Sequence, residues 1–316
     1  MKKAIVTILA AAVCIFAANA QDADILKAAT EAYNQGAEAL NLGDNAGALK
    51  LFNNALTQAE QAGESGAEVA GNCKDIIPKL LLQIGKDYIK ANQFDEAIKT
   101  LGEAAEAATK FGNNEDIPGE VEQILPGINL KKASNLVKEK NFAEAIVILK
   151  DVVAKTPENG NAHILLANCY NATGNKAEAI NSFIAAKDNG QEKQAAKALS
   201  NIYLKDCQAA IKAKSYKAAI EAAEKSYEYL PNSNALKLAG NASLQLKDND
   251  KAIEYFTKYI EEAPNAKDFS QICYNIASIY QGKGNKAKAI EFYEKVNPAD
   301  PAVGAYAVQQ LEALRK

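Results

Sequence analysis

Tryptophan is missing from this 316-residue chain, and histidine and methionine occur once each, as His163 and Met1. A single histidine leaves no second ring to complete a transition-metal site, and no close cysteine spacing makes up for it. No HExxH, P-loop or nucleophile-elbow motif occurs. Glycine (18) and proline (8) are sparse, so long stretches run free of helix breakers. Charge of one sign is also lacking. The 36 basic and 39 acidic residues are mixed along the sequence, with no basic stripe or single-sign block, so nucleic acid is not an expected partner. Past the N-terminus no apolar run reaches the roughly 18 residues that a membrane-spanning helix needs.

What is present favours helices. Ala, Lys, Glu, Asn, Leu and Ile dominate, and most of these lose little freedom in a helix. The first twenty residues stand apart. Lys2 and Lys3 precede an apolar run from Ala4 to Ala18, and Ala18-Asn19-Ala20 forms a small-x-small cleavage site. This is the layout of a secretory signal peptide, and it predicts a mature chain starting at Gln21. Val13 is bulkier than a lipid-attachment motif takes before its cysteine, which argues against lipidation at Cys14. The other cysteines, Cys73, Cys169, Cys207 and Cys273, fall where helices want small or apolar residues. They read as buried thiols, with Cys169–Cys207 the one pairing worth checking.

The rest of the chain repeats itself. Seven segments carry an alanine followed by an aliphatic residue, shortly after a polar turn. They centre on Ala48, Ala97, Ala145, Ala179, Ala219, Ala252 and Ala289. Twelve residues before each lies another small residue: Gly36, Gly85, Ala133, Ala167, Cys207, Gly240 and Ala277. Pro157, Pro231, Pro264 and Pro301 stand twelve residues past four of the alanines, where a second helix must stop. The spacing of the later repeats is close to 34 residues, and that of the first three about 48. Pro78 and Pro126 occupy matching places in the longer repeats and predict an extended or kinked first helix in each. Extra residues around Lys187 to Lys193 predict a lengthened connection.

This pattern resembles the tetratricopeptide repeat family over about Ala29 to Val296. The resemblance implies an all-α, right-handed solenoid of helix-turn-helix repeats. The expected organisation is a signal peptide (1–20), three long repeats (21–156), four repeats of ordinary length (157–301) and a capping helix (302–316). A small residue at each crossing lets two antiparallel helices approach closely, with larger ones filling the grooves beside it. His163 occupies a packing position of the repeat and reads as a satisfied core histidine. Gly282-Lys-Gly284-Asn-Lys-Ala287 mimics a dinucleotide fingerprint, but it follows a helix and not a strand, so it is an inter-helix turn.

The resemblance also places certain first-helix positions in a concave groove. These are Asn161, Asn168 and Asn171, then Asn201 and Gln208, then Asn234, Lys237 and Asn241, and finally Gln271, Tyr274, Asn275 and Gln281. Asn and Gln carry both a donor and an acceptor, so a row of them can satisfy the backbone of an extended peptide. The same residues also read as ordinary solvated surface. Lys237, Asn241 and Asn275 match half of the clamp with which some family members grip a C-terminal carboxylate. The expected function is a non-enzymatic protein- or peptide-binding scaffold in the bacterial envelope, periplasmic or secreted, with no cofactor. The alternatives are an assembly factor bridging components of an outer-membrane machine through its convex face, with Tyr227 and Tyr255 exposed there, and a glycan binder, which the missing tryptophan disfavours.

Overall fold

The computed structural model describes residues 20–316; of the expected leader only Ala20 lies among them. Helices account for the regular structure, and no strand occurs among the described residues. Contacts divide the chain into two compact units, one ending at Thr156 and the other running from Pro157 to Lys316. The first holds α1 (Ala20–Asn41), α2 (Asn45–Gln61), α3 (Ala67–Lys90), α4 (Phe94–Phe111), α5 (Asp116–Lys138) and α6 (Phe142–Lys155). The second holds α7 (Gly160–Ala172), α8 (Lys176–Ala186), α9 (Glu192–Lys212), α10 (Tyr216–Tyr229), α11 (Ser233–Gln245), α12 (Asn249–Glu262), α13 (Phe269–Gly282), α14 (Lys286–Tyr293) and α15 (Gly304–Arg315). In each unit an odd-numbered helix pairs with the even-numbered one after it, and each pair packs on the next, as in an α-solenoid.

The pairs are built on one contact. All seven repeat alanines are fully buried, and all seven small residues twelve positions earlier are buried too. Four residues past each alanine comes the side chain that the small residue admits: Phe52, Leu101, Leu149, Phe183, Ala223, Phe256 and Tyr293, every one buried. A methyl group on Gly240 would lie 2.5 Å from Cε1 of Phe256, and one on Gly85 would lie 2.7 Å from Cδ2 of Leu101. One crossing reverses the sizes. Where the first helix carries the larger Cys207, the second carries only Ala223.

Every turn inside a pair has a left-handed residue five positions before the alanine. Glycine fills it at Gly43, Gly174 and Gly284, asparagine at Asn92, and lysine at Lys140, Lys214 and Lys247, with φ of 63°, 57° and 61° for the lysines. The left-handed residue lets the chain reverse, and in three of the seven turns the next side chain caps the second helix. Asp44, Asp248 and Asn285 accept from the backbone N–H three residues on. Between pairs in the second unit, a buried polar knot fixes the corner. Ser226 donates to the carbonyl of Ser200 (2.9 Å), and Asn232 reaches both hydroxyls while capping α11 at Ala235.

Pro78 and Pro126 lie inside single long helices, α3 and α5, the extended first helices expected of the longer repeats, and each removes one backbone hydrogen bond. Other expectations are met differently from their sequence reading. The extra residues near Lys187 do not make a longer loop. The reversal is tight, with Gly190 left-handed and Asn189 donating to the carbonyl of Ala185 (2.8 Å), and the helix-favouring run after it lengthens α9 instead. Pro301 does not end α14, which stops eight residues earlier, just ahead of Asn297-Pro298, because a residue before proline avoids the helical region. Tyr255 is buried and Tyr227 half-buried, against the expectation that both are exposed. Their hydroxyls cross between α10 and α12, Tyr227 to Glu262 and Tyr255 to Glu224, and so tie successive second helices together.

Two stability predictions follow from these contacts. Gly240→Ala should destabilise the chain by about 1–3 kcal/mol through overpacking against Phe256, and Phe256→Leu in the same chain should recover part of that loss. A neutral Gly240→Ala in chemical denaturation would show that the crossing is looser than described. Lys214→Gly and Lys247→Gly should each stabilise by roughly 0.5–1 kcal/mol, because the left-handed backbone strains any residue with a Cβ. Additive rises in the denaturation midpoint would confirm this, and a loss of stability would contradict it.

Candidate protein-binding surface

The first helices of the second unit present a regular polar pattern. Six residues before each small residue stand Asn161, Asn201, Asn234 and Gln271; one residue after it stand Asn168, Gln208, Asn241 and Ser278. Seven residues is close to two helical turns, so each helix carries its two members on one face. All but Gln271 are exposed. The equivalent positions of the first unit hold Thr30, Lys79 and Gly127, then Ala37, Lys86 and Ser134. The amide row therefore belongs to the second unit, and a general abundance of asparagine does not account for it.

Hydrogen bonding splits the expected residues into two groups. Asn161, Asn168, Asn171, Asn201, Gln208, Asn234 and Asn241 are exposed, and among the described residues their amides make no side-chain hydrogen bond. Those on α13 are half-buried and engaged. Gln271 donates to Asn275 (3.0 Å), while Gln281 accepts from Tyr293 (2.7 Å) and donates to Gln310 (2.8 Å). Tyr274 packs edge-on against Tyr293 with ring centroids 5.5 Å apart. Seven of the twelve residues thus offer free donors and acceptors, all on α7, α9 and α11.

Lys237 is already matched. Its ammonium lies 2.9 Å from Oδ2 of Asp268 and 5.7 Å from the ring centre of Tyr259, whose hydroxyl donates to the same carboxylate. Burial acts to raise the Asp268 pKa, but the hydrogen bonds from Tyr259 and Lys237 outweigh it and hold the carboxyl below its usual range. A peptide C-terminus entering here would have to displace that internal carboxylate. Sequence spacing shows Lys237 but not its partner, 31 residues away on the connection between α12 and α13.

Little else on the surface suggests chemistry. The four cysteines among the described residues are buried and free, and Cys169 and Cys207 are not joined. Burial pushes Cys73 up to about 12 and Cys207 and Cys273 up to about 11, so at neutral pH they stay thiols and are poor nucleophiles. His163 is half-buried with Nε2 2.9 Å from the carbonyl oxygen of Pro157, a structural role. Among the described residues no three His, Cys, Asp or Glu side chains converge as a metal site would require, and no helix is long and apolar enough to cross a membrane. Two hollows lie between second helices, away from the amide row. One of about 340 Å³ is lined by Leu49, Ile77, Leu81 and Phe111, and the other, of about 250 Å³, by Ala223, Leu236, Tyr227 and Tyr255. Sequence reasoning did not find them. The signal for the second was Ala223, small where other repeats carry a large residue.

Comparison with known proteins agrees with this architecture. Models described as tetratricopeptide repeat match residues 136–202, 207–267 and 270–302, together about half of the chain. No curated protein matches the sequence significantly. Among solved structures, MamA (AMB-1) is 20% identical, with 59% of this chain and 98% of that one covered and a TM-score of 0.35. The TPR domain of P58(IPK) is 15% identical, with 91% and 98% covered and a TM-score of 0.30. A TPR2AB-domain complex of yeast Sti1 is 17% identical, with 75% and 96% covered and a TM-score of 0.31. With three successive family matches over helix pairs built on the same small-on-large crossing, this chain belongs to the tetratricopeptide repeat family.

Proposed function

We propose that the chain is a non-enzymatic scaffold that binds an extended segment of another protein along the amide row of its second unit. One observation carries this reading: seven exposed Asn and Gln side chains on three successive first helices have no side-chain hydrogen-bond partner among the described residues. Each can donate to a carbonyl and accept from an N–H of a peptide backbone, so the row would hold an extended chain while reading little of its sequence. We place this activity in the bacterial cell envelope, in the periplasm or at the inner face of the outer membrane. The Lys2-Lys3 start, the apolar run behind it and Ala18-Asn19-Ala20 support that location. A second reading, an assembly factor working through its second helices, is favoured by the hollow between α10 and α12.

In-cell crosslinking of the tagged protein, followed by mass spectrometry, separates the two. Replacing Asn168, Asn201 and Asn241 together by Ala should abolish capture of a specific envelope protein, or weaken its binding by roughly 2–4 kcal/mol, thirtyfold or more. The thermal midpoint should hold, since these side chains support no internal contact. Equal capture by both proteins would move the binding site to the second helices.

A further inference from the structure

In the second unit the first helices all run one way and the second helices the other. The four turns inside pairs therefore share one edge of the stack, and the connections between pairs share the opposite edge. Charge is sorted between these edges. Residues 170–178, 208–218, 242–251 and 280–288, on the turn edge, hold nine lysines and three acids. Residues 157–164, 184–195, 226–236, 259–271 and 294–304, on the other, hold nine acids and four lysines. The sequence shows no basic stripe because each turn contributes only one to three lysines before the chain leaves for another repeat. The fold assembles the stripe.

All nine turn-edge lysines are exposed. Lys176, Lys283 and Lys288 are paired, with Asp206, Asp250 and Glu291. Among the described residues Lys212, Lys214, Lys217, Lys247, Lys251 and Lys286 form no ion pair. Of the three acids, Asp250 is held by Lys283 and Asp248 caps α12. The placement of two of these lysines marks the same edge. The left-handed position is glycine in the first and last of these four turns, but Lys214 and Lys247 in the middle two. Stability alone favours glycine there. What lysine adds is a cation at the tip of the turn. Leu246, beside Lys247, is 39% exposed on this edge.

We propose that this edge docks the second unit onto an anionic lipid surface. The cations follow a line of turn tips; one hollow lies in the other unit and the second takes in only Lys251 of them, which suits a broad charged plane better than a segment seeking a groove. All nine are lysines, and Arg315 is the one arginine of the chain, so no bidentate fork is available to read a base edge. Tyr170, Tyr216 and Tyr280 near the edge are half-buried, leaving no exposed ring on which nucleic-acid bases would stack. Hydrated lysines close to a headgroup layer add about fivefold each in binding, and Leu246 is placed to enter the interface. The proposal stands whether or not the amide row binds a peptide, and the substitutions that test it leave every amide in place.

The test is cosedimentation of the full chain with phosphatidylcholine vesicles, with and without phosphatidylglycerol, at low and high ionic strength. The phosphatidylcholine arm measures any contribution of the apolar N-terminal run. The chain should bind the anionic vesicles at low salt and be released at high salt. Lys214→Gly combined with Lys247→Gly should weaken that binding about twenty-five-fold while the melting temperature rises, so a loss of binding cannot be put down to unfolding. Equal binding to both kinds of vesicle, salt-insensitive binding, or undiminished binding of the double variant would overturn the proposal. Retention on immobilised polyglutamate without vesicle binding would also overturn it, in favour of an acidic protein surface.

Discussion

The rest of the structure depends on the closeness with which two helix backbones can pass. Where Gly36, Gly85 or Gly240 meets the side chain sixteen positions later, no Cβ stands in the way, and Phe52, Leu101 or Phe256 fills the space. At one crossing the sizes are reversed, with Cys207 on the first helix and Ala223 on the second. Close-packed interiors cannot absorb even a methylene without strain, so the crossing fixes the separation of the two helices. It thereby sets the direction in which every other side chain of the pair points. Turn geometry, helix length and the corner knot of Ser200, Ser226 and Asn232 then decide how one pair follows the next.

A stack built this way frees its outer surfaces. Packing consumes the small residue, the alanine and the large residue of each pair, and neighbouring pairs take a further stripe. On α7, α9 and α11 the remaining face is under little structural demand. In the second unit that face repeats Asn or Gln at two registers, while in the first unit it does not. On α13 the first of these positions, Gln271, is drawn into a hydrogen bond with Asn275, and Gln281 three residues past the second is held between Tyr293 and Gln310. The open part of the row therefore ends at α11.

The alternating direction of the helices has an electrostatic consequence. Two residues adjacent in sequence across a turn stay on one edge, whereas residues a helix length apart move to the other. A chain can therefore look evenly mixed along its length and still be polarised between its edges. In the second unit the sorted charges leave six unpaired lysines on the turn edge, with acids outnumbering lysines opposite. Fields of this kind act over about a Debye length, so they concern partners arriving at the edge and contribute little to the fold.

The repeat alanines, the small residues ahead of them and the stop signals at Pro157, Pro231 and Pro264 are local, and the sequence alone was enough to read the all-helical repeat architecture from them. Helix formation and turn chemistry depend on near neighbours, so they leave a periodic trace. Other features depend on contacts between residues some thirty positions apart, where one-dimensional order carries no distance information. Thus Lys237 looked like a free cation until Asp268 was brought to it, and Tyr255 looked like surface until α10 covered it with Glu224 offered to its hydroxyl. The twelve candidate binding residues were legible as a row, but which seven stay unengaged was decided by packing. The basic edge was decided by the tertiary structure entirely, because only antiparallel stacking brings lysines from four separate turns onto one side.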